Sequence, residues 1–383
     1  MKMNNLEELR KKIDKIDSEL MPLFTERMKC SAEVAEYKRA NNMPVLDKKR
    51  ETEILNAKMQ AAEDGFGAAV YDFYTAIMAI SRAAQNERLA KKDAKIDISG
   101  FERSFKSDPT VVFQGAAGAN SESALINIFG EDCKRKNAMT FAEVLDMVEN
   151  GEADYGILPM ENTFTGSITD VYDLLSERDL YIIAETDIPI EHCLIGMPDA
   201  ELSDIKTVYS HEQAYLQSRE FFSKMQDIDF KPHFNTALSA KVIAGCGDKS
   251  KAAIASRRAA KIYGLRVLAE NISQSGSNAT RFAAVAKKGV ITEESSKVSI
   301  HFTLPNESGS LDRVLAVFAR NGLNMVKIES RPSRDKNFDY WFFIDFEGCL
   351  LDDNTKRALE QVAEQAEGFR LLGNYKTVHG IKQ

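Results

Sequence analysis

A stripe of apolar side chains at helical spacing organises the first ninety residues. Six aliphatic residues recur at steps of three and four, at Leu6, Leu9, Ile13, Ile16, Leu20 and Leu23. This spacing predicts one long amphipathic helix that runs to about Ala40 and must bury its apolar face. Asp47 is predicted to cap a second helix, and the periodicity from Val70 to Ala84 predicts a third. Residues 1–90 should therefore form an all-α helical domain.

Polar side chains lie on the faces that these helices should bury. Arg27 continues the apolar stripe of the first helix, and Lys38 follows three turns later on nearly the same side. Ser81 and Gln85 extend the apolar face of the third helix. An inward charge is costly unless it meets an anion, so these residues predict an anionic ligand.

Arg10 lies too far along the first helix to share that pocket within one chain. It is roughly 25 Å from Arg27 along the helix axis, so only a second copy of the helix could bring it there. A different interpretation stays open, in which all of these side chains are ordinary solvated helix residues. The side chains concerned are those of Arg10, Arg27, Lys38, Arg50, Ser81 and Gln85.

Composition excludes several classes of protein. A net charge of −8 argues against non-specific binding to nucleic acid. No apolar run approaches the roughly 20 residues of a membrane span, and the polar N-terminus predicts no secretory signal. Five scattered cysteines without CxxC predict reduced thiols in the cytoplasm and no metal site. Neither GxxxxGK[ST] nor GxGxxG occurs, which argues against ATP or a nicotinamide cofactor.

Short apolar runs alternate with helical patterns from residue 110 onward. This alternation predicts parallel sheets in two α/β lobes with a cleft between them, over residues 110–288. Ser167 is predicted to cap a helix at residues 168–176. Residues 187–189 should cross into the second lobe, and two strands, at residues 265–269 and 282–286, should return to the first.

The stretch Asn-Ala-Thr-Arg-Phe at residues 278–282 follows a polar run and opens an apolar one. It predicts a loop that delivers Thr280 and Arg281 to the mouth of a strand. A hydroxyl beside a guanidinium suits a carboxylate substrate, because Arg binds the anion and Thr donates a hydrogen bond. The alternative is a strand with an ordinary polar start.

Two further segments complete the chain. Residues 91–109 are charged and lack periodicity, which predicts a tether between independently folded domains. Residues 297–380 show the order βαββαβ, which predicts a ferredoxin-like α+β domain.

Nearly all of residues 5–88 resemble the all-helical chorismate mutases, a family of intertwined helical dimers. The matching pieces are Leu9-Arg10-x-x-Ile13-Asp14, Glu26-Arg27, Lys38, Pro44-Val45-x-Asp47-x-x-Arg50-Glu51 and Ser81-x-x-x-Gln85. The resemblance implies that carboxylates of chorismate are bound by Arg10 of the partner subunit, Arg27, Arg50 and Ser81. It implies that Lys38 and Gln85 reach the ether oxygen, and that Glu51 and Asp47 bind the ring-hydroxyl side. A capping role explains Asp47 equally well.

Residues 110–288 resemble the prephenate dehydratases, whose two lobes resemble those of periplasmic binding proteins. The matching pieces are Phe113-Gln114-Gly115, Pro159-x-Glu161-Asn162-Thr163-x-x-Gly166-Ser167, His192-Cys193, Tyr209-Ser210-His211-x-Gln213-Ala214 and Asn278-x-Thr280-Arg281-Phe282. The resemblance implies that Thr280 assists departure of the ring hydroxyl and that Arg281 binds a carboxylate. It also implies a cleft lined by Glu161, Asn162, Thr163, Ser167 and Gln213. Asn120 stands where this family carries an aromatic residue, and His211 is either a general acid or structural.

Residues 297–380 resemble an ACT domain. Two segments resemble those that touch phenylalanine in the domains that follow prephenate dehydratases, Gly309-Ser310-Leu311 and Glu329-Ser330-Arg331-Pro332. A purely structural dimerisation module is the alternative.

The three resemblances together match the bifunctional chorismate mutase–prephenate dehydratases of phenylalanine biosynthesis. They imply conversion of chorismate through prephenate to phenylpyruvate, feedback inhibition by L-phenylalanine, a homodimer or tetramer, and no metal or organic cofactor. One rival is a non-catalytic amino-acid-responsive binding protein, against which Arg27, Lys38 and Thr280 argue. Another is a mutase fused to prephenate dehydrogenase, against which the missing GxGxxG argues.

Overall fold

The computed structural model of the chain divides into two compact units, residues 1–95 and 96–383. It describes residues 6–41, 43, 45, 47–89, 96–225, 227–273, 278–306, 309–332 and 340–379. Pro44, residues 91–95 and residues 274–277, which enter the predictions above, lie outside these ranges.

Three helices form the first unit, as the periodicity predicts: α1 Leu6–Ala40, α2 Lys48–Gln60 and α3 Gly67–Leu89. The Asp47 carboxylate caps α2 by accepting a hydrogen bond from the backbone N–H of Arg50 at 3.0 Å, which confirms its predicted capping role. α3 packs against both other helices, and Ala35, Ile77 and Met78 are buried in this unit. No described helix is long and apolar enough to cross a bilayer.

The apolar stripe on the N-terminal half of α1 remains open within this unit. Its six residues, from Leu6 to Leu23, are between 42% and 63% exposed. Pro22 lies within α1 without ending it. The described part of a single chain therefore does not supply the burial that the stripe predicts.

The second unit begins with two α/β lobes. The first lobe contains β1 Thr110–Gln114, α4 Asn120–Phe129, β2 Lys134–Ala138, α5 Phe141–Glu149, β3 Tyr155–Asn162, β4 Gly166–Ser167, α6 Thr169–Ser176 and β5 Tyr181–Pro189. The second lobe contains β6 Cys193–Gly196, a 3-10 turn at Leu202–Asp204, β7 Thr207–Ser210, α7 Glu212–Gln217, α8 Arg219–Phe222, β8 Asp229–Pro232, α9 Thr236–Cys246, β9 Lys251–Ala255, α10 Arg257–Tyr263 and β10 Arg266–Ala269. β11 Ala279–Ala286 returns to the first lobe and lies antiparallel between β3 and β5. The predicted two-lobed α/β fold is confirmed, but the sheets are mixed and not purely parallel, because β11 and β6 each run antiparallel to both of their neighbours.

The C-terminal segment has the predicted βαββαβ order. Its elements are β12 Lys297–Thr303, α11 Ser310–Arg320, β13 Met325–Pro332, β14 Tyr340–Glu347, α12 Asp353–Gln365 and β15 Glu367–Thr377. The sheet of this segment is continuous with that of the first lobe, because the end of β15 pairs in parallel with β5. The resulting ten-stranded sheet has the order β13-β14-β12-β15-β5-β11-β3-β1-β2 with β4 beside β3, and the second lobe has β10-β6-β9-β7-β8.

Four local predictions differ from the structure. Thr280 and Arg281, predicted to lie in a loop at the mouth of a strand, belong to β11 itself. Ser167 lies in β4 and does not cap α6, whose N-cap is Ile168 without a side-chain hydrogen bond. Residues 187–189 belong to β5 and pair with β11, so the crossing comes later, before β6. Residues 266–269 form β10, which pairs with β6 and stays in the second lobe. In each case the pairing of strands in the folded chain determined the local structure, which the local sequence signal did not predict.

The described part of the predicted tether, residues 96–109, packs against the second unit. Ile96, Ile98 and Phe101 contact the hydrophobic core of the C-terminal segment. Phe105 lies against Phe129 and Tyr155 in the first lobe. Residues 96–109 thus join the second unit and do not form a free linker.

Candidate active sites and the regulatory interface

A cavity of about 300 Å³ lies between the two lobes. It includes the carboxyl ends of β1 and β3, and the residues that follow β7, which is where parallel α/β sheets bind ligands. Its lining residues are Gln114, Gly115, Ala119, Asn120, Ser121, Pro159, Asn162, Thr165, Ile168, Ile190, His192, His211, Gln213, Ala214, Gln217, Asn235, Thr236, Asn278, Thr280 and Phe282. None of these described residues is Asp, Glu, Lys or Arg. Among the described lining residues, the groups that can hold an anion are therefore neutral donors, the two histidines and helix N-termini.

Thr280 is held in this cavity by Asn162. The Asn162 Oδ1 accepts hydrogen bonds from the backbone N–H groups of Phe164 and Thr165, at 3.0 and 3.2 Å. Its Nδ2 must therefore face the other way, where it lies 2.9 Å from the Thr280 Oγ1. Because an amide nitrogen only donates, the Thr280 hydroxyl accepts this bond and keeps its own proton for another acceptor.

A chain of hydrogen bonds extends from Asn162 to the second lobe. The Asn278 Oδ1 accepts from Asn162 Nδ2 at 2.8 Å, and the Asn278 Nδ2 donates to Gln217 Oε1 at 3.1 Å. The same Gln217 oxygen lies 2.9 Å from His192 Nε2. That nitrogen must carry a proton, since Gln217 Oε1 can only accept. Burial lowers the pKa of His192, which favours the neutral ring.

Two helices of the cavity begin at its wall. α4 starts at Asn120 behind Ala119, which provides no side-chain cap. α9 starts at Thr236 behind Asn235, whose Oδ1 caps the helix through Leu238 N at 2.7 Å. The Asn235 Nδ2 is buried without a hydrogen-bond partner. Unpaired N–H groups at helix N-termini favour a bound anion.

The predicted dehydratase residues separate into two groups. Asn162, Gln213 and Thr280 line the cavity. The other four lie outside its lining, and they are Glu161, Thr163, Ser167 and Arg281. The Thr163 hydroxyl oxygen accepts the backbone N–H of Ala279 at 3.1 Å, and Arg281 forms ion pairs with carboxylates of the chain itself. Direct contact of these four side chains with a substrate stays a prediction that the cavity does not support.

The helical unit brings part of its predicted site together. The Arg27 guanidinium donates a hydrogen bond to the Ser81 hydroxyl, which joins α1 to α3. Burial lowers the pKa of Arg27, although Tyr74 opposes this effect. Gln85 lies one turn beyond Ser81, and its Oε1 is buried without a hydrogen-bond partner. Such an orphaned acceptor is costly unless a ligand donates to it.

The remaining predicted residues of this unit have separate partners. Lys38 is half-buried and donates to the backbone carbonyl of Val45. Glu51 forms an ion pair with Arg82, a residue that the sequence analysis did not single out. Arg50 is exposed and lies 3.6 Å from Glu53, and Arg10 is exposed on the open half of α1.

Comparison with known proteins identifies all three segments. Family models match at residues 9–86 for chorismate mutase type II, at residues 111–290 for prephenate dehydratase and at residues 298–364 for the ACT domain. The bifunctional chorismate mutase/prephenate dehydratase of Aquifex aeolicus is 33% identical over 97% of this chain and 98% of its own length. The chain belongs to this bifunctional family.

Two further relatives each match about 70% of this chain. The arogenate dehydratase/prephenate dehydratase 1 of Arabidopsis thaliana is 39% identical over 69% of this chain and 71% of its own length. The solved structure of prephenate dehydratase from Arthrobacter aurescens, in complex with L-Phe, is 33% identical with a TM-score of 0.64. It covers 70% of this chain, and 89% of that structure is matched.

The two predicted phenylalanine segments lie at one end of the ACT sheet. In the strand register, Trp341 of β14 lies between Arg331 of β13 and Thr303, the last residue of β12. Gly309 follows Thr303 by six residues in the chain. Gly309 has φ +80 and caps α11, and Ser310 is buried beside Arg313. Leu311 packs against the core of this domain.

The second of these segments has two different faces. Glu329 and Arg331 contact the dehydratase lobe, through Ser167 and Asp173, whereas Ser330 and Pro332 are exposed on the other face of β13. Contacts of Glu329 and Arg331 with phenylalanine stay a prediction.

Several cleft residues were missed by sequence reasoning. Gln217 lies one helical turn after the predicted Gln213, so helical spacing could have found it. Asn278 and His192 stand in recognised motifs without an assigned role. Asn235 carried only a helix-capping signal, because its place at the cleft depends on how the second lobe folds against the first.

Proposed function

We propose that the chain carries out its two reactions at separate sites. Chorismate rearranges to prephenate in the helical unit, and prephenate loses carbon dioxide and water in the cleft to give phenylpyruvate. The observation that carries this proposal is the hydrogen bond from Asn162 to Thr280, which leaves a hydroxyl proton available in the interlobe cavity.

Thr280 assists the departing ring hydroxyl in this scheme. The formation of the aromatic ring supplies the driving force, so the site needs a proton donor and correct orientation more than a strong base. Thr280 is 8% exposed, which limits competing bonds with water. A threonine hydroxyl is a weak acid, and it therefore orients the leaving group or relays a proton.

The cleft suits a substrate with two carboxylates. The N-termini of α4 and α9 and the unpartnered Asn235 Nδ2 supply neutral donors for anions. L-Arogenate differs from prephenate by an ammonium group in place of the side-chain ketone. No described lining residue is Asp or Glu, so the ammonium would lack a carboxylate partner. The cleft therefore favours prephenate.

The helical site needs no nucleophile or base, because the rearrangement is pericyclic. It must hold a dicarboxylate in a compact conformer and stabilise charge on the breaking ether oxygen. Arg27 with Ser81 serves the carboxylate, and Lys38 with the Nε2 of Gln85, the donor end of that amide, serves the ether oxygen. Glu51 with Arg82, together with Arg50, completes the set, while Asp47 serves as the cap of α2. Neither site calls for a metal or organic cofactor.

A homodimer explains the open stripe of α1. A second copy of the helix is the occupant that matches an exposed apolar face from Leu6 to Leu23, and it would carry Arg10 into the pocket of its neighbour. Phenylalanine inhibition is supported by the ACT domain and by the L-Phe complex of the Arthrobacter aurescens relative. A cytoplasmic location stays a prediction.

One experiment tests these assignments together. The purified chain is given chorismate alone, and prephenate and phenylpyruvate are followed with and without L-phenylalanine. We expect phenylpyruvate to form and its rate to fall with phenylalanine. Accumulation of prephenate without phenylpyruvate would support only the mutase activity. If chorismate is not converted at all, the binding-protein alternative is favoured. A parallel assay with L-arogenate tests the substrate preference.

A further inference from the structure

Two neighbouring residue pairs of β3 and β11 face opposite sides of the sheet. Thr280 pairs with Asn162, and both line the cleft. Arg281 pairs with Glu161, and their side chains meet at 2.5 Å on the side of the ACT domain. Each strand therefore carries one cleft residue and, next to it, one residue directed at the ACT domain.

Lys327 of β13 joins this second pair. Its Nζ lies 3.1 Å from Glu161 Oε2 and 2.9 Å from the Ser167 hydroxyl, and it stands over the ring of Tyr172 at 4.8 Å. The Lys327 side chain is only 8% exposed. A charge buried to this extent is stable only while its partners stay in place.

Arg281 is tied to the ACT domain independently. Its Nη1 lies 3.6 Å from Asp345 of β14 and 3.8 Å from Glu185 of β5. Burial alone would lower the pKa of Arg281, but Asp345 and Glu185 raise it, so the guanidinium stays charged. Movement of β13 and β14 relative to the lobe would thus disturb Arg281 and Glu161 together.

β13 is well placed to sense a ligand. Lys327, Glu329 and Arg331 alternate along one face and bind the dehydratase lobe, with Arg331 held by Asp173 through two hydrogen bonds of 3.0 and 2.9 Å. Ser330 and Pro332 lie on the other, exposed face. A ligand on that face would act on the strand that binds the lobe.

We propose that Lys327, Glu161 and Arg281 are positioning residues that couple the ACT domain to the Asn162–Thr280 pair. A shift of β13 and β14 pulls on Glu161 and Arg281, and these displace Asn162 and Thr280, their immediate neighbours in the same strands. The inference rests on the proposed inhibition by phenylalanine and gives it a structural route.

The test compares three variants of the full-length chain. Lys327→Met removes the charge, Lys327→Arg retains it, and Lys376→Met is a matched control that breaks an exposed ion pair with Glu294 in the same domain. Dehydratase activity is measured at saturating L-phenylalanine as a fraction of each variant's own uninhibited rate. Binding of L-phenylalanine is measured separately by calorimetry.

We expect Lys327→Met to bind phenylalanine within about threefold of wild type while its residual fraction of activity rises at least about fivefold. Lys327→Arg and Lys376→Met should behave like wild type. Glu161→Gln removes the Lys327–Glu161 ion pair from the other side, together with the Glu161–Arg281 pair, and it should show the same separation of binding from inhibition.

Three results would overturn the inference. Full inhibition of both Lys327→Met and Glu161→Gln would show that coupling runs elsewhere. Loss of phenylalanine binding in Lys327→Met would place Lys327 in the ligand site. The third result is a wild-type chain that does not bind phenylalanine or is not inhibited by it. This result would refute the proposed regulation as well, and it differs from the first two because it is seen in the wild type and not in a variant.

Discussion

The helical unit and the interlobe cleft differ in how complete they are within one chain. In the cleft, Thr280, Asn162, Asn278 and Gln217 satisfy one another through hydrogen bonds that cross both lobes. In the helical unit the apolar stripe of α1 is open, and the buried Gln85 Oε1 has no partner. The cleft also keeps one unpartnered donor, Asn235 Nδ2, so only the open apolar face separates the two regions. This difference supports the proposal that the dehydratase site forms within one chain and the mutase site between two.

Removing the Thr280 hydroxyl should separate the two sites most strongly. Thr280→Val keeps the shape of the side chain but loses the proton donor, so dehydratase kcat should fall by about 10²- to 10⁴-fold. Mutase activity should stay at the wild-type level, and Thr280→Ser should retain most dehydratase activity. An equal loss of both activities in Thr280→Val would contradict the separation of the sites.

Mixing two inactive mutase variants tests whether the helical site is shared between chains. Arg10→Ala and Lys38→Ala should each cripple the mutase. In an equal mixture of subunits half the dimers are mixed, and each holds one intact site, so about a quarter of wild-type mutase activity should return. Chromatographically verified mixed dimers that stay inactive would show that Arg10 does not cross between chains.

His301 tests how completely the second unit buries its polar side chains. Its ring is 1% exposed between Trp341 and Phe343, with both nitrogens unpartnered, and burial, assisted by Arg370, lowers its pKa to about 3. Because the unfolded chain binds a proton near pH 6.5, the free energy of unfolding should fall as the pH drops from about 6.5 to 3. The slope from this group approaches about 1.4 kcal/mol per pH unit.

Replacement of this ring by a similar apolar one isolates its contribution. Denaturant unfolding at pH 7 and pH 5 should show a smaller loss of stability for His301→Phe than for wild type. The acidic residues titrate equally in both proteins and cancel in the difference. Identical pH dependence in the two proteins would mean that His301 finds a proton acceptor in the folded state.

Asp47 gives the smallest expected effect and decides between its two predicted roles. Asp47→Ala should destabilise the helical unit by about 1 kcal/mol through loss of the cap, whereas Asp47→Ser should retain it. Because the carboxylate already accepts the Arg50 N–H, we expect Asp47→Ser to keep mutase activity as well. A stable Asp47→Ser variant without mutase activity would assign Asp47 to the substrate.

The sequence by itself determined the elements whose signals are local. The periodicity of α1, the cap at Asp47 and the βαββαβ order of the C-terminal domain follow from side-chain spacing and turn residues, and the structure confirms them. The placement of Asn162, Gln213 and Thr280 at the cleft followed from motifs carried on strand and helix ends.

Only the tertiary structure decided which side each strand residue faces and what it meets there. Thr280 and Arg281 are expected to share one pocket if their segment is a loop, but pairing of β11 with β3 and β5 makes it a strand, and adjacent strand residues face opposite sides. Arg281 meets Asp345, which lies more than sixty residues away in the chain, and Glu161 meets Lys327. Spacing along the sequence carries no information about such contacts, because they depend on the sheet that β5 and β15 make continuous.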